Sequence, residues 1–469
     1  MTKEVIEEPI SFYLRDDNGA IKIIQAKLID FLELNGFLNV RMGDEVMLVR
    51  NDRNILYRIK ILDLVAFIRN TLDNEANREI YDVFARSPGT YIGVNKLQLL
   101  KSIEIIDDLD ELNSSKFYFQ NCVCEVYSDR IEVIENENLE KPIWQNRILQ
   151  IEYNPPSLDV VGQFETFCKR ITGGKDQRFQ ALKCLIGYLL HRNKEKGEQK
   201  AVILYDEKMG VGDKANGRTG KTVIATALSK CREVELFDGK SMKNESYFKN
   251  QRINLTTDLL VYDDISKNLK FDIFYSILTT GVEVEKKGKQ SFYIPDSKSP
   301  KLLITSNYYV NGDGGDSDLG RRYEFEIANH YSKKLKPEHE FGNRFFGNFW
   351  PMEEWNKFYF FMSTCVQDYL ANGLIDLPSL NLQISKITDN TSSDFVEFAE
   401  VYIKKDFKFD KRHFLSDFIS LYPKYQDLSP HQFTKWLQLY ADHLNCSYED
   451  KSSGGEYYFW IHSKADSNE

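Results

Sequence analysis

The stretch that most constrains this chain is Ala215-Asn216-Gly217-Arg218-Thr219-Gly220-Lys221-Thr222. An apolar run, Ala201-Val202-Ile203-Leu204-Tyr205, precedes it and reads as a buried strand. Val223 to Lys230 follows and reads as a helix. A strand, a loop of small residues ending in Gly-Lys-Thr, and a helix form the setting of a phosphate-gripping loop. In such a loop the backbone N–H groups and the helix N-terminus converge on a phosphate. Lys221 is placed to neutralise β and γ oxygens, and Thr222 offers a hydroxyl to Mg²⁺, so ATP and Mg²⁺ are the expected cofactors. Ala215 stands where the strict pattern has Gly, and Asp206 to Lys214 is a long connection from strand to loop. A glycine-rich surface turn is the plain alternative.

Three further segments follow at regular intervals. About forty residues after Thr222, Leu259-Leu260-Val261-Tyr262-Asp263-Asp264 reads as a buried strand ending in paired carboxylates. Beside a phosphate loop, the first carboxylate suits Mg²⁺ and the second suits a base that activates water. Another forty residues on, Leu302-Leu303-Ile304-Thr305-Ser306-Asn307 is a strand ending in an amide that suits the γ-phosphate and the lytic water. An Asn capping the next turn is the alternative. Between them, the alternation from Gly281 to Ile294 reads as a hairpin with Lys286, Lys287, Gly288 and Lys289 at its tip. Such a tip suits the phosphates of a single strand, and an ordinary solvated hairpin is the alternative. Arg321 or Arg322, just before an apolar strand, suits the γ-phosphate of a neighbouring subunit or a surface ion pair.

In these motifs the sequence resembles the superfamily 3 helicases, with the phage, plasmid and poxvirus primase-helicase group most similar. Ala215 to Thr222 matches the nucleotide loop, Asp263 and Asp264 the acidic pair, and Lys286-Lys287-Gly288-Lys289 the DNA-gripping hairpin. Asn307 matches the sensor, and Arg321 aligns better than Arg322 with the arginine finger. All lie within roughly 110 residues. The resemblance implies an α/β fold with an AAA+ core and a central parallel sheet, assembled as a homo-hexameric ring on single-stranded DNA. It also implies replication of a phage or mobile element in the bacterial cytoplasm, with a primase or origin-binding protein as a further partner. A duplex-DNA translocating or packaging ATPase, and an ATP-switched initiator or scaffold that does not unwind, stay open beside it.

The flanks divide the chain. Residues 1–155 read as an α+β module, 156–197 as a helical collar, 198–335 as the ATPase core, 336–390 as an aromatic helical extension and 391–469 as a winged-helix-like module. The helical pair of 156–197 suits a collar, a subunit contact or plain core. Asp107-Asp108-Leu109-Asp110 reads as a solvated turn, and Thr388 to Ser393 as a polar linker. Three expected helices (394–404, 411–421, 430–444) followed by a hairpin give the winged-helix order. The third presents His431, Gln432, Lys435 and Gln438 for a major groove. Charge argues back: the chain carries a formal −10, and from Thr391 onward about nine Lys/Arg face about thirteen Asp/Glu. Nucleic-acid contact must therefore be local. Seven scattered Cys, with Cys122 and Cys124 two apart, read as reduced thiols rather than a zinc site. No run reaches membrane length, so no membrane partner is expected.

Overall fold

The computed structural model describes residues 12–42, 45–104, 109–135, 142–157, 160–194, 199–208, 219–242, 250–267, 269–287, 291–312, 315–453 and 455–463. Among them the central element is a parallel sheet. Its spatial order is Val234–Asp238, Leu259–Asp263, Lys301–Thr305, Ala201–Asp206, Arg322–Ile327. Every neighbouring pair is parallel. The apolar runs are continuous because both faces are buried. Alternate residues divide between two cores. Val202, Leu204, Val261 and Phe325 face one, and Ile203, Tyr205, Tyr262 and Ile304 face the other or its sheet neighbours.

The first core holds the helices expected before the strand. Gln163–Ile171 and Asp176–Leu190 both pack into it, with Phe164, Phe167, Leu182 and Leu185 buried. The 21-residue helix Met352–Asn372 lies along Asp176–Leu190. Gly187 permits the contact: a Cβ there would sit 2.0 Å from the Cys365 carbonyl oxygen. The aromatic block around it is core packing, with Phe358 and Phe361 buried.

Residues 115–135 and 148–153 join this same core through a sheet of order Ile148–Leu149, Ser115–Phe119, Cys122–Val126, Ile131–Glu135. Residues 12–100 have separate cores, in which helices Gln25–Leu34 and Ile61–Leu72 cover a sheet containing Phe37–Met42, Glu45–Asp52 and Ile55–Arg58. A tight turn joins the last two of these strands, with Arg53 and Asn54 at φ 49° and 68°. All seven cysteines are buried free thiols. No described helix is long and apolar enough to cross a membrane.

Two expectations need correction. Asp107 and Asp108 lie outside the described residues, but Asp110 is not solvated. It is 6% exposed and ion-paired to Arg192 at 2.8 Å. Thr388 to Ser393 is not an open linker. Its first residues end the helix Leu382–Asn390, and Ser392 caps Ser393–Tyr402 by accepting from the Phe395 amide. Leu382 is buried with the central sheet and Ile387 with the C-terminal core, so this helix ties the two together.

The C-terminal part forms helices Ser393–Tyr402, Lys411–Leu421 and Pro430–His443 over a three-stranded antiparallel sheet. The sheet has the order Phe409–Asp410, Glu456–Ser463, Cys446–Ser453. Ser429 accepts from the Gln432 amide ahead of Pro430, as a helix start requires. The short Phe409–Asp410 strand has no counterpart in the expected order of elements.

Candidate active site

The five parallel strands end on one edge, and the Lys301–Thr305 strand separates Ala201–Asp206 from Leu259–Asp263. Ligands of open parallel sheets sit outside such carboxyl ends, where the strand order reverses. Ala215, Asn216, Gly217, Arg218 and Lys289 lie outside the described residues. Thr219, Gly220, Lys221 and Thr222 are described, and Lys221–Ser229 is a helix.

Gly220 is at φ +118°, a conformation that side chains disfavour. A Cβ there would also lie 2.7 Å from the Phe167 ring. The Gln163–Ile171 helix thus packs directly beneath the loop.

Lys221 is 8% exposed. Its ammonium contacts Asp206 Oδ1 at 2.5 Å and donates to Asn307 Oδ1 at 2.9 Å. Burial pulls the Lys221 ammonium below its ordinary value, opposed first by Asp206 and then by Asp264 and Asp263. Thr222 Oγ1 lies 3.4 and 3.3 Å from the two Asp263 oxygens. Thr305 Oγ1 donates to Asp263 Oδ1 at 2.6 Å and accepts from the Asp264 amide at 2.8 Å. Asp264 is a non-glycine residue at φ 55°. That left-handed turn, of the strained kind found at functional sites, brings its carboxylate to Asn307 Nδ2 at 2.6 Å and to the Lys240 ammonium.

The structure therefore brings Lys221, Thr222, Asp263, Asp264 and Asn307 together. Three residues not singled out in the sequence complete the cluster. Asp206 ends the first strand and binds both Lys221 and the Thr219 hydroxyl. Thr305 holds the acidic pair, and Lys240 follows the Val234–Asp238 strand. Their signal is position: each lies at or just beyond a strand's carboxyl end.

The donor set fits a metal-bound polyphosphate. A hydroxyl and carboxylates are the hard oxygen ligands Mg²⁺ takes. Asp206 Oδ2 is buried with no hydrogen-bond partner among the described residues. Among the described residues, three carboxylates (Asp206, Asp263, Asp264) face two ammoniums (Lys221, Lys240), so a polyphosphate needs an accompanying cation to enter.

Arg321 lies elsewhere. Its carbonyl accepts from the Ala201 amide, at the amino end of the strands. With about 3.3 Å per residue, that is roughly 20 Å from the Lys221 edge. Its guanidinium bonds to Ser317 and sits 5.2 Å from the Tyr275 ring centroid. Arg322 is buried, paired to Asp318 at 3.0 Å and donating to the Val310 carbonyl.

The basic hairpin forms as Gly281–Val284 against Phe292–Pro295. Lys287 is exposed at its described end. Lys286 turns back, donating to Asn254 Oδ1 at 2.9 Å and lying 5.2 Å from the Phe292 ring centroid.

No family model matches the chain, and no curated protein matches it. Among solved structures, the apo A form of the NrS-1 C-terminal region is similar at 11% identity and TM-score 0.39, over 93% of this chain and 99% of that one. A crystal structure of JCV helicase bound to a thiazolopyridine acetamide is similar at 11% identity and TM-score 0.29, over 53% of this chain and 63% of that one. Likenesses this distant assign nothing.

Proposed function

We propose that this chain is an ATP-dependent DNA helicase that moves on single-stranded DNA as a ring of six copies, in replication of a phage or mobile element. The observation that carries the reading is the convergence of Lys221, Thr222, Asp263, Asp264 and Asn307 from separate strands onto one sheet edge. MgATP, when bound, supplies the phosphoanhydride and the cation that offsets its charge. Lys221 would exchange Asp206 for phosphate oxygens, and Thr222 and Asp263 would hold the metal. Asp264, oriented by Asn307, takes the proton of the attacking water. Ala215 to Gly220 cradle the phosphates.

Arg321 is too far from Lys221 to act within one copy. Acting in trans, it needs a head-to-tail interface, and such an interface can close into a ring. Lys287 then grips the strand in the channel. A primase or origin-binding protein is the expected partner. The winged-helix order of the C-terminal elements and the AAA+ assignment of the core belong to the same reading.

Lys221→Ala is expected to abolish ATP turnover. Lys287→Ala is expected to keep basal turnover and lose unwinding of a forked substrate. Equal loss of both activities in Lys287→Ala contradicts the reading, as does a stable monomer imaged with an ATP analogue and single-stranded DNA.

A further inference from the structure

The C-terminal module is acidic as a whole, yet its cations are not spread evenly. Lys404, Lys405, Lys408, Lys411 and Arg412 fall within nine residues that hold two acids, Asp406 and Asp410. The fold lays this segment beside the sheet, because Phe409–Asp410 pairs with Glu456–Ser463. Strand alternation then sorts the side chains. Phe409, Phe459 and Ile461 point into the core, and Tyr458 and Trp460 point outward, half-buried.

On that outer face lysines and rings interleave. Lys408 Nζ lies 5.3 Å from the ring centroids of both Tyr458 and Trp460. Lys451, paired across the sheet with Tyr458, lies 5.6 Å from Trp460. Tyr457 alternates to the other face with Phe459, and Arg412 lies 4.4 Å from its ring. Asp406 and Glu456 are exposed acids nearby, and three others are engaged locally. Asp450 pairs with Lys411, Glu449 with His462, and Asp410 caps the following helix. Lys408 and Lys451 have no carboxylate partner among the described residues.

We infer that this outer sheet face binds single-stranded nucleic acid. Rings with cations between them offer what an unpaired strand has to match: a flat face for each base and a charge for each phosphate. The ammoniums now over the rings are held only by weak, exposed cation–π contacts. A phosphate draws such an ammonium aside, and the base takes the ring. A duplex has no unstacked base to give. The exposed face of the Pro430–His443 helix is the poorer nucleic-acid surface, because it offers one full cation, Lys435, beside His431, Gln432 and Gln438. The inferred site is separate from the proposed motor, and its binding needs no ATP.

The test is ultraviolet cross-linking of the full chain to a short oligothymidylate without nucleotide, followed by peptide mapping, with binding measured by anisotropy in parallel. Adducts are expected on Tyr458 or Trp460. The double variant Lys408→Glu, Lys451→Glu is expected to lose these adducts and to bind oligothymidylate about tenfold more weakly, with a shallower salt dependence and unchanged duplex binding. The Lys221→Ala chain is expected to cross-link normally, which separates this site from the motor. Adducts confined to the Pro430–His443 helix or the 281–295 hairpin overturn the inference. So does an oligothymidylate affinity that the double reversal leaves unchanged.

Discussion

The Lys221 ammonium rests 2.5 Å from Asp206 Oδ1, so the residue expected to meet phosphate is already held by a carboxylate. Both groups are buried, and Asp206 is 0% exposed. On the proposed reading, nucleotide displaces this contact and approaches the remaining negative charge. Asp206→Asn keeps the shape and removes the charge. It is expected to tighten MgADP binding about three- to tenfold, read by competition with a fluorescent nucleotide. Weaker binding would show instead that Asp206 aligns Lys221 rather than competing for it.

Thr305 joins the two carboxylates that the sequence places side by side. Its hydroxyl donates to Asp263 and accepts from the Asp264 amide. Thr305→Val leaves that amide unpaired and Asp263 unanchored. A stability loss of about 1–3 kcal/mol is expected from chemical denaturation. The Mg²⁺ requirement of ATP turnover is expected to rise, while nucleotide binding at saturating Mg²⁺ stays as it was. An unchanged Mg²⁺ titration would refute the role of Thr305 in holding the metal ligand.

Gly220 faces two separate obstacles to any side chain, its φ of +118° and the Phe167 ring. Gly220→Ala is expected to destabilise the fold by about 1–3 kcal/mol and to abolish nucleotide binding. Adding Phe167→Leu makes room for the methyl but leaves the backbone strain. The double variant should regain part of the melting temperature and little of the binding. Full recovery of binding would place the whole effect in the ring contact.

What the sequence discloses follows the range of the interaction concerned. Periodicity marks Ala201–Asp206, Leu259–Asp263 and Lys301–Thr305 as buried strands, because each is apolar along its whole length. Ser429-Pro430 and Arg53-Asn54 mark a helix start and a tight turn, because capping and left-handed φ are local demands. Lys240 gives no such sign: its bond to Asp264 depends on two neighbouring strands ending level. The interleaving of Lys408 with Trp460 likewise depends on a two-residue strand pairing far along the chain. Asp110 misleads outright, since its acidic neighbours advertise a solvated turn while its cationic partner lies 82 residues away.

That partner makes Asp110 the carboxylate whose loss the fold should feel most. It accepts from the Arg192 guanidinium and amide and from Ser115, with Arg232 at 3.8 Å. Burial alone would raise its pKa, but Arg192 first and then Arg232 outweigh burial and hold it well below the ordinary 3.8. A group depressed on folding contributes stability that is present above its unfolded pKa and lost as pH falls toward its folded one. The melting temperature should therefore be insensitive to this group near neutrality and fall below about pH 4. Asp110→Asn removes the carboxylate that faces two buried guanidiniums. It is expected to cost about 3–5 kcal/mol at neutral pH and to flatten the acid limb of the melting profile. Because residues 115–135 and 148–153 share a core with the central sheet, the loss should appear in the main unfolding transition. A variant that melts like the parent at neutral pH, with an acid limb as steep, would show that the pair adds nothing to the fold.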